Sequence, residues 1–280
     1  NIGDLEVPYR VVRELNEVGN TQTNVYWDIS GSSLRITNTL RETLLAIGIS
    51  SQVNHLIRAS ATLFDRAYER RDYVMNHEMY VTNEQDRVQG HIEALGTGDL
   101  YHIGLQWSQF VVPPDEQLGP VVRLGTSRVD SVASLHTAGQ LEMSDLKPLY
   151  YKDKTVDKSS EQVIVQTEIS PQTQLALYFE VYNLVLDADD QTRYTVEYEV
   201  EHTAVRNGFL SRLRGGRTRE TATQATYEGR TTRTEEYIVI DPSEVAPEGR
   251  GEITITVRIT DEQANNTIER QIRFTLQEST

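Results

Sequence analysis

The chain contains no cysteine, which excludes disulfides, thiolate metal ligands and cysteine nucleophiles. Lysine is scarce: the four lysines are Lys147, Lys152, Lys154 and Lys158, and every other basic residue is an arginine. No apolar run approaches the roughly 18 residues that a membrane helix requires, so we predict a chain without a membrane span. We therefore expect a function that requires no thiol group, no disulfide cross-link and no membrane-spanning helix.

Acidic residues outnumber basic ones by 42 to 27, which gives a formal net charge of −15. An anionic surface of this size disfavours nucleic acid and anionic lipid as partners. Excess acid with so little lysine also fits a protein that stays soluble at high salt, where screening relieves self-repulsion. An ordinary acidic surface is the alternative to such a halophilic source.

A length of 280 residues exceeds that of most single domains and predicts two domains with separate cores. The strongest boundary signal is the stretch 111–120, VVPPDEQLGP, because its prolines remove ladder donors. We predict an N-terminal domain over 1–112, an irregular linker over 113–160 and a C-terminal domain over 161–280. The chain starts at Asn1 without a signal-like region, so we expect it to be an excised or processed part of a longer protein.

Residues 175–200, LALYFEVYNLVLDADDQTRYTVEYEV, carry the clearest structural pattern. The apolar residues that alternate with polar ones in the second half are Tyr194, Val196, Tyr198 and Val200. This period of two predicts a strand, and the polar break at 187–191 predicts a hairpin turn before it. Many similar short runs lie between turn signals, which is typical of sandwiches. We predict an all-β fold of two tandem antiparallel β-sandwich domains of immunoglobulin-like type.

The two halves of the chain share a weakly similar sequence pattern. Gly98-Asp99 leads into an alternating apolar run at 100–107, and Gly251-Glu252 leads into a similar run at 253–259. The repetition suggests an internal duplication.

Metal-binding patterns are weak. Asp187, Asp189 and Asp190 place three carboxylates in one loop and could offer oxygen ligands to calcium. The loop lacks the glycine and distal glutamate of an EF-hand, and a turn that favours aspartate explains it more simply. His91 and Glu93 share a strand face, but no second such pair accompanies them. We therefore predict no cofactor and no metal, with the three aspartates as weak calcium candidates.

Catalytic signatures are lacking as well. No nucleophile elbow, phosphate-binding loop or dinucleotide fingerprint occurs in the sequence. Glu197, Glu199 and Glu201 form a like-charged row on the predicted solvent face, which is typical of a solubility device rather than a glycosidase pair. We predict that the chain is not an enzyme.

One loop reverses the acidic character of the chain. We predict that its partner-binding residues are Arg206, Phe209, Arg212, Arg214, Arg217 and Arg219. Arginine forks bind carboxylates and phosphates bidentately, so the loop could dock an acidic protein, an acidic polysaccharide or a lipid headgroup. A hairpin loop that folds back onto the protein's own acids is the alternative interpretation.

Several features between residues 140 and 277 point to one family. They are the stretch 175–200, the insert 207–216 (NGFLSRLRGG), the phrase 227–231, the acidic strand 235–241 and the closing hairpin 251–276. Together they resemble the C-terminal β-rich region of the bacterial GWxTD-domain proteins, an envelope-associated group. The Gly-Trp-x-Thr-Asp signature is absent, because Trp27 and Trp107 stand in other contexts. The resemblance implies an exported, periplasmic or extracellular module without catalytic activity.

Three functional hypotheses follow. The leading one is a non-catalytic β-sandwich module with a structural or interaction role in a larger bacterial envelope protein, binding a protein partner there. The alternative is a carbohydrate-binding accessory module, in which Tyr150, Tyr151 and Trp27 are exposed aromatics that stack on sugar. The third is a metal-dependent hydrolase that uses His91 and Glu93, or the loop at Asp187.

Overall fold

The computed structural model describes residues 3–30, 54–81, 87–96, 98–112, 121–135, 139–152, 155–159, 162–203, 218–247 and 249–277. The chain divides into two compact units, Asn1–Ser134 and Leu135–Thr280, and each has a hydrophobic core of its own. No helix within the described ranges is long and apolar enough to cross a membrane.

The first unit consists of strands in its described part. They are β1 (Gly3–Asp4), β2 (Tyr9–Leu15), β3 (Thr21–Ser30), β4 (Asn54–Asp65), β5 (Arg70–Val81), β6 (Arg87–Leu95), β7 (Leu100–Val112) and β8 (Val121–Ala133). One sheet has the order β1-β8-β7-β4-β5 and the other has the order β2-β3-β6. A turn joins β4 to β5, in which the carbonyl of Asp65 accepts the N–H of Tyr68 at 2.9 Å.

The core of the first unit is centred on its two tryptophans. Trp27 of β3 and Trp107 of β7 are each 1% exposed, and the ring of Tyr9 lies 5.5 Å from the ring of Trp107. The large indole of Trp107 fits because its cross-strand neighbours are small, Ala59 on β4 and Gly125 on β8. The side chains of the two sheets thus interlock as in a sandwich.

The second unit adds ten strands and one short helix. They are β9 (Glu142–Met143), β10 (Lys147–Lys152), β11 (Thr155–Val156), β12 (Glu168–Ile169), β13 (Leu175–Tyr182), β14 (Thr192–Thr203), β15 (Thr218–Gly229), β16 (Arg233–Ile240), α1 (Pro242–Val245), β17 (Gly251–Asp261) and β18 (Asn266–Leu276). One sheet has the order β11-β10-β13-β16, with β9 also paired to β13. The other has the order β12-β18-β17-β14-β15.

The core of the second unit is formed by alternate residues of facing strands. Leu177 and Phe179 of β13 are fully buried, as are Ile255 and Val257 of β17. All eight residues of β13 are buried, so both faces of this strand are shielded from solvent. A strand buried on both faces is normally a continuous apolar run, so the glutamate within this one needs an explanation.

The two units share their order of strand pairing. The sheets β1-β8-β7-β4-β5 and β12-β18-β17-β14-β15 each run from a two-residue edge strand, through the last two strands of the unit, to a long hairpin. The edge strands β1 and β12 pair in parallel with β8 and β18, whereas the remaining pairs are antiparallel. β7 and β17, which carry the two echoing sequences, occupy equivalent positions. The all-β sandwich prediction is confirmed, with parallel edge strands as an addition, and the immunoglobulin-like subtype stays a prediction.

The irregular linker predicted over 113–160 requires correction. β8 lies within it and completes the large sheet of the first unit, while β9, β10 and β11 belong to the second unit. The units divide between Ser134 and Leu135. β7 ends at Val112, directly before the prolines, yet β7 and β8 remain paired neighbours in one sheet. The sequence of β8, VVRLGTSRVDSVA, does not alternate regularly between apolar and polar residues, so it did not indicate a strand.

The hairpin predicted over 175–200 also requires correction. Both of its strands exist, as β13 and β14, but they belong to different sheets. β13 pairs with β10 and β16, and β14 pairs with β15 and β17. The residues between them therefore cross from one layer of the sandwich to the other. Alternation identifies a strand, but it does not identify the strand's partner.

Candidate functional site

β15 forms an open sheet edge. It pairs with β14, and no described strand pairs with its far side. Every residue from Ala222 to Glu228 is exposed. The segment 221–227, TATQATY, contains neither a charge nor a proline. Charges and prolines are the means by which edge strands usually avoid pairing with another chain, so this edge lacks the common protection.

One hydrogen bond shows which backbone groups face outward. The N–H of Glu262 donates to the carbonyl of Arg193 at 2.9 Å, on the β17 side of β14. Because peptide groups alternate in direction along a strand, the peptide group of Val196 faces β15, and that of its partner Ala225 faces β14. The residues of β15 whose N–H and C=O groups point away from the sheet are therefore Ala222, Gln224, Thr226 and Glu228.

The other edges of the sheets β1-β8-β7-β4-β5 and β12-β18-β17-β14-β15 are better protected. β5, the equivalent of β15 in the first unit, begins with the charged residues Arg70, Arg71 and Asp72. It also lies against β6, where the Asn76 side-chain amide donates to the carbonyl of His91 at 2.9 Å. The opposite edges end in the two-residue strands β1 and β12. β15 differs from all of these in being long, uncharged along its middle, and open.

A tyrosine pair lies on the inward face of this edge. Tyr227 stacks on Tyr194, with ring centroids 5.5 Å apart and planes 16° apart, and Tyr227 remains 40% exposed. The Tyr194 hydroxyl donates to the carboxylate of Glu236. Burial, reinforced by that bond, raises the pKa of Tyr194, and burial likewise raises the pKa of Tyr227. Both rings therefore stay neutral at physiological pH and offer an apolar surface beside the open edge.

A row of carboxylates lies on the outward face. Glu197, Glu199 and Glu201 of β14 all point outward next to β15. Arg258 neutralises the first, because its Nη1 lies 3.2 Å from Glu197 and its Nη2 lies 2.9 Å from Glu269. Within the described part of the chain, Glu199 and Glu201 have no hydrogen-bond or ion-pair partner. Two half-buried carboxylates that have no partner among the described residues thus flank the edge.

The predicted arginine loop falls in residues 204–217, between β14 and β15. Arg206, Phe209, Arg212, Arg214 and Arg217 lie outside the described residues, and Arg219 is the β15 partner of His202. The two ends of the loop, Thr203 and Thr218, are paired, so the loop closes a hairpin as expected. Its role in docking an acidic partner stays a prediction.

Asp187 organises a turn. Its Oδ1 accepts the N–H groups of Asp189 at 2.8 Å and Gln191 at 2.9 Å. Asp190 adopts a positive φ of 57°, which aspartate tolerates better than most residues. These bonds account for the aspartates in the way that the turn interpretation proposes.

Replacing Asp187 with alanine should lower the free energy of unfolding by about 1 kcal/mol, because two backbone donors lose their acceptor. Asp189→Ala is the matched control, since its carboxylate makes no bond among the described residues, and should change stability by less than about 0.5 kcal/mol. Thermal unfolding with and without calcium tests both variants. A calcium-induced rise in Tm that either substitution abolishes would favour an ion site instead.

His91 and Glu93 of β6 occupy one outward face, as predicted. The His91 ring stacks on Tyr26 at a centroid distance of 5.9 Å. Over the ranges that the structure describes, no group of three or more histidine, aspartate or glutamate side chains could hold a metal ion. Nothing in this geometry supports the hydrolase hypothesis.

The aromatics proposed for sugar binding do not form one platform. Trp27 is a core residue, which corrects its prediction as an exposed aromatic. Tyr150 and Tyr151 border an open cavity of about 450 Å³ together with Lys152, Gln172, Thr173, Gln174, Asp241 and Ser243. Neighbouring residues on a strand point to opposite faces, and Tyr150 packs against the core.

Glu180 of β13 is the centre of a buried network that the sequence pattern did not single out. Tyr178 and Tyr182 each donate a hydroxyl hydrogen bond of 2.9 Å to its carboxylate. Arg233 donates from Nη2 at 2.6 Å, and the Lys158 ammonium lies 4.5 Å from the centroid of the Tyr178 ring. The sequence did contain a signal for this network, because Glu180 is the single acidic residue within the otherwise apolar run of β13.

The chain matches no protein-family model, and no curated protein matches it. The resemblance to the GWxTD-domain proteins therefore stays a prediction. The feature of the molecule that indicates a function is the geometry of the second unit, and above all that of β15.

Proposed function

We propose that the second unit is a non-catalytic polypeptide-binding module of a larger bacterial envelope protein, and that it binds its partner by strand addition to β15. The observation that carries this proposal is the row of outward peptide groups from Ala222 to Glu228. Strand addition obtains affinity from main-chain hydrogen bonds and specificity from the alternate side chains. The exported location rests on the resemblance of residues 140–277.

The energetics suit a reversible interaction. Each main-chain hydrogen bond contributes about 0.5–1.5 kcal/mol net, and ordering an extended partner offsets part of that gain. Main-chain bonds therefore hold the partner in register, while the side chains beside the edge determine how tightly it binds. This division fits a docking module better than a permanent structural joint.

Three strongly engaged carboxylates of the described ranges, one in the first unit and two in the second, have structural roles, which also supports a non-catalytic protein. Hydrogen bonds from the Glu69 N–H and the Arg71 side chain hold the pKa of Asp65 below its usual range, and Asp65 closes the β4–β5 turn. Asp241 caps α1 through the Ser243 N–H. Glu180 is enclosed by its own network.

The direct test is a proline at Gln224. This N–H faces outward, so proline should leave the β14–β15 pairing intact while it removes a donor from the open edge. Peptides selected from a displayed library on the full chain should bind the Gln224→Pro variant about tenfold more weakly or worse.

Gln224→Ala is the matched control, because it removes the side chain and keeps the N–H. It should bind the selected peptides as the unsubstituted chain does, and circular dichroism should show both variants folded. Equal binding to Gln224→Pro and Gln224→Ala would mean that the peptides do not add to β15.

Carbohydrate binding remains a second candidate because of the cavity beside Tyr150. Its polar lining, with Gln174 Nε2 donating to Asp241 at 3.0 Å, can offer hydrogen bonds to hydroxyl groups. We rank it below peptide binding because the aromatic surface is divided between two strand faces.

A further inference from the structure

We infer that the segment that adds to β15 carries basic side chains at alternate positions and apolar side chains at the positions between them. This inference rests on the proposed strand addition and specifies its partner. The side chains of an added strand alternate between the two faces of the sheet, so each face of β15 selects one set of them.

The outward face of β15 favours basic side chains on the added strand. An added strand would lie about 4.8 Å beyond β15 and therefore about 10 Å from β14. Ala222 lies between them, directly opposite Glu199, and has no side chain beyond Cβ that could block the approach. A lysine or arginine on the added strand can reach over Ala222 toward the carboxylates of Glu199 and Glu201, for which the described ranges provide no partner.

The inward face of β15 favours apolar side chains on the added strand. Here the added strand would meet Thr223, Ala225 and the exposed ring of Tyr227. Tyr194 supports that ring from behind, so an apolar side chain from the partner would cover an aromatic surface that is already fixed in place. Burying a charge on this face would be unfavourable.

The overall charge of the chain favours the same partner. A net charge of −15 attracts cationic segments and speeds their association. A second copy of the chain would bring the same negative charge to the edge. Pairing two copies about Gln224 would also place Glu220 of each copy opposite Glu228 of the other. The charge pattern thus favours a different, basic polypeptide over self-association.

The experiment compares three synthetic peptides that span the strand from Ala222 to Glu228, with valine alternating with lysine, serine or glutamate. Affinities for the full chain are measured by fluorescence anisotropy at two salt concentrations. The lysine peptide should bind most tightly, and Gln224→Pro should weaken it about tenfold. The double substitution Glu199→Gln and Glu201→Gln should weaken only the lysine peptide, by about fivefold.

A charge-matched control separates local pairing from general attraction. Glu168→Gln with Asp189→Asn removes two exposed acids that have no partner in the described ranges, and it should change the lysine peptide's affinity by less than about twofold. If this control weakens binding as much as the Glu199 and Glu201 pair does, the basic preference is non-specific and the inference fails.

The remaining outcomes are distinct. If all three peptides bind equally and Gln224→Pro weakens them all, strand addition stands and the basic preference is overturned. If the glutamate peptide binds best, the partner is acidic and the arginine loop becomes the more relevant surface. If no peptide responds to Gln224→Pro, the proposed function fails. A concentration-dependent dimer that Gln224→Pro dissociates would make a second copy the occupant and overturn the inference.

Discussion

Replacing Trp107 with alanine should lower the free energy of unfolding of the first unit by about 3–5 kcal/mol. The indole is 1% exposed and lies between Ala59 and Gly125, which are too small to fill the space that it would leave. Trp107 Nε1 has no hydrogen-bond partner in the described part of the chain, so the loss is one of packing. The cavity left behind determines where in this range the cost falls.

The fluorescence of Trp27 can be used to follow the unfolding of this variant. The chain has two tryptophans, so after the substitution the remaining fluorescence reports on the first unit alone. Denaturant titration should show a lower midpoint with a similar slope. Tyr73→Ala, an aromatic truncation at a residue that is 44% exposed, is the matched control and should cost less than about 0.5 kcal/mol. Similar losses in both variants would contradict the proposed core.

Replacing Glu180 with glutamine should cost the second unit about 2–4 kcal/mol, although the two side chains have nearly the same shape. The carboxylate accepts hydrogen bonds from Tyr178, Tyr182 and Arg233. An amide nitrogen in place of one oxygen would face a donor, and a buried donor would lose its acceptor. The cost arises from this mismatch and not from lost volume.

Glu235→Gln is the matched control for this substitution. Glu235 lies directly across from Glu180 on β16, but its side chain is 52% exposed whereas that of Glu180 is 8% exposed. Its ion pair with Lys158 is a surface pair, so the loss should be at most about 1 kcal/mol. Calorimetry on both variants checks the contrast, and equal destabilisation would show that burial of Glu180 does not matter.

The sequence predicted the strands better than their arrangement. The period of two around Tyr194 and the run at 253–259 identified β14 and β17, because alternation reflects a face that is buried locally. The partner of β13 was not predictable in the same way. It pairs with β16, more than fifty residues later in the chain, and no local pattern encodes such a pairing.

β8 and β15 show why other elements were missed or misjudged. The burial of β8 depends on bulges and on its neighbour β1, neither of which leaves a regular pattern. The openness of β15 depends on the absence of a neighbour beyond it in the described sheet, which no local sequence pattern encodes. The carboxylate row from Glu197 to Glu201 was predicted to face solvent, which is confirmed, whereas its position beside an open edge required the fold.

Amide hydrogen exchange along β15 tests the central proposal most directly. In the free protein, the N–H groups of Thr223, Ala225 and Tyr227 should exchange slowly because they bond to β14. Those of Ala222, Gln224, Thr226 and Glu228 should exchange rapidly and become protected when the lysine peptide is added. Uniform protection of the strand before any peptide is added, or no new protection at these residues afterwards, would contradict an open edge that binds its partner by strand addition.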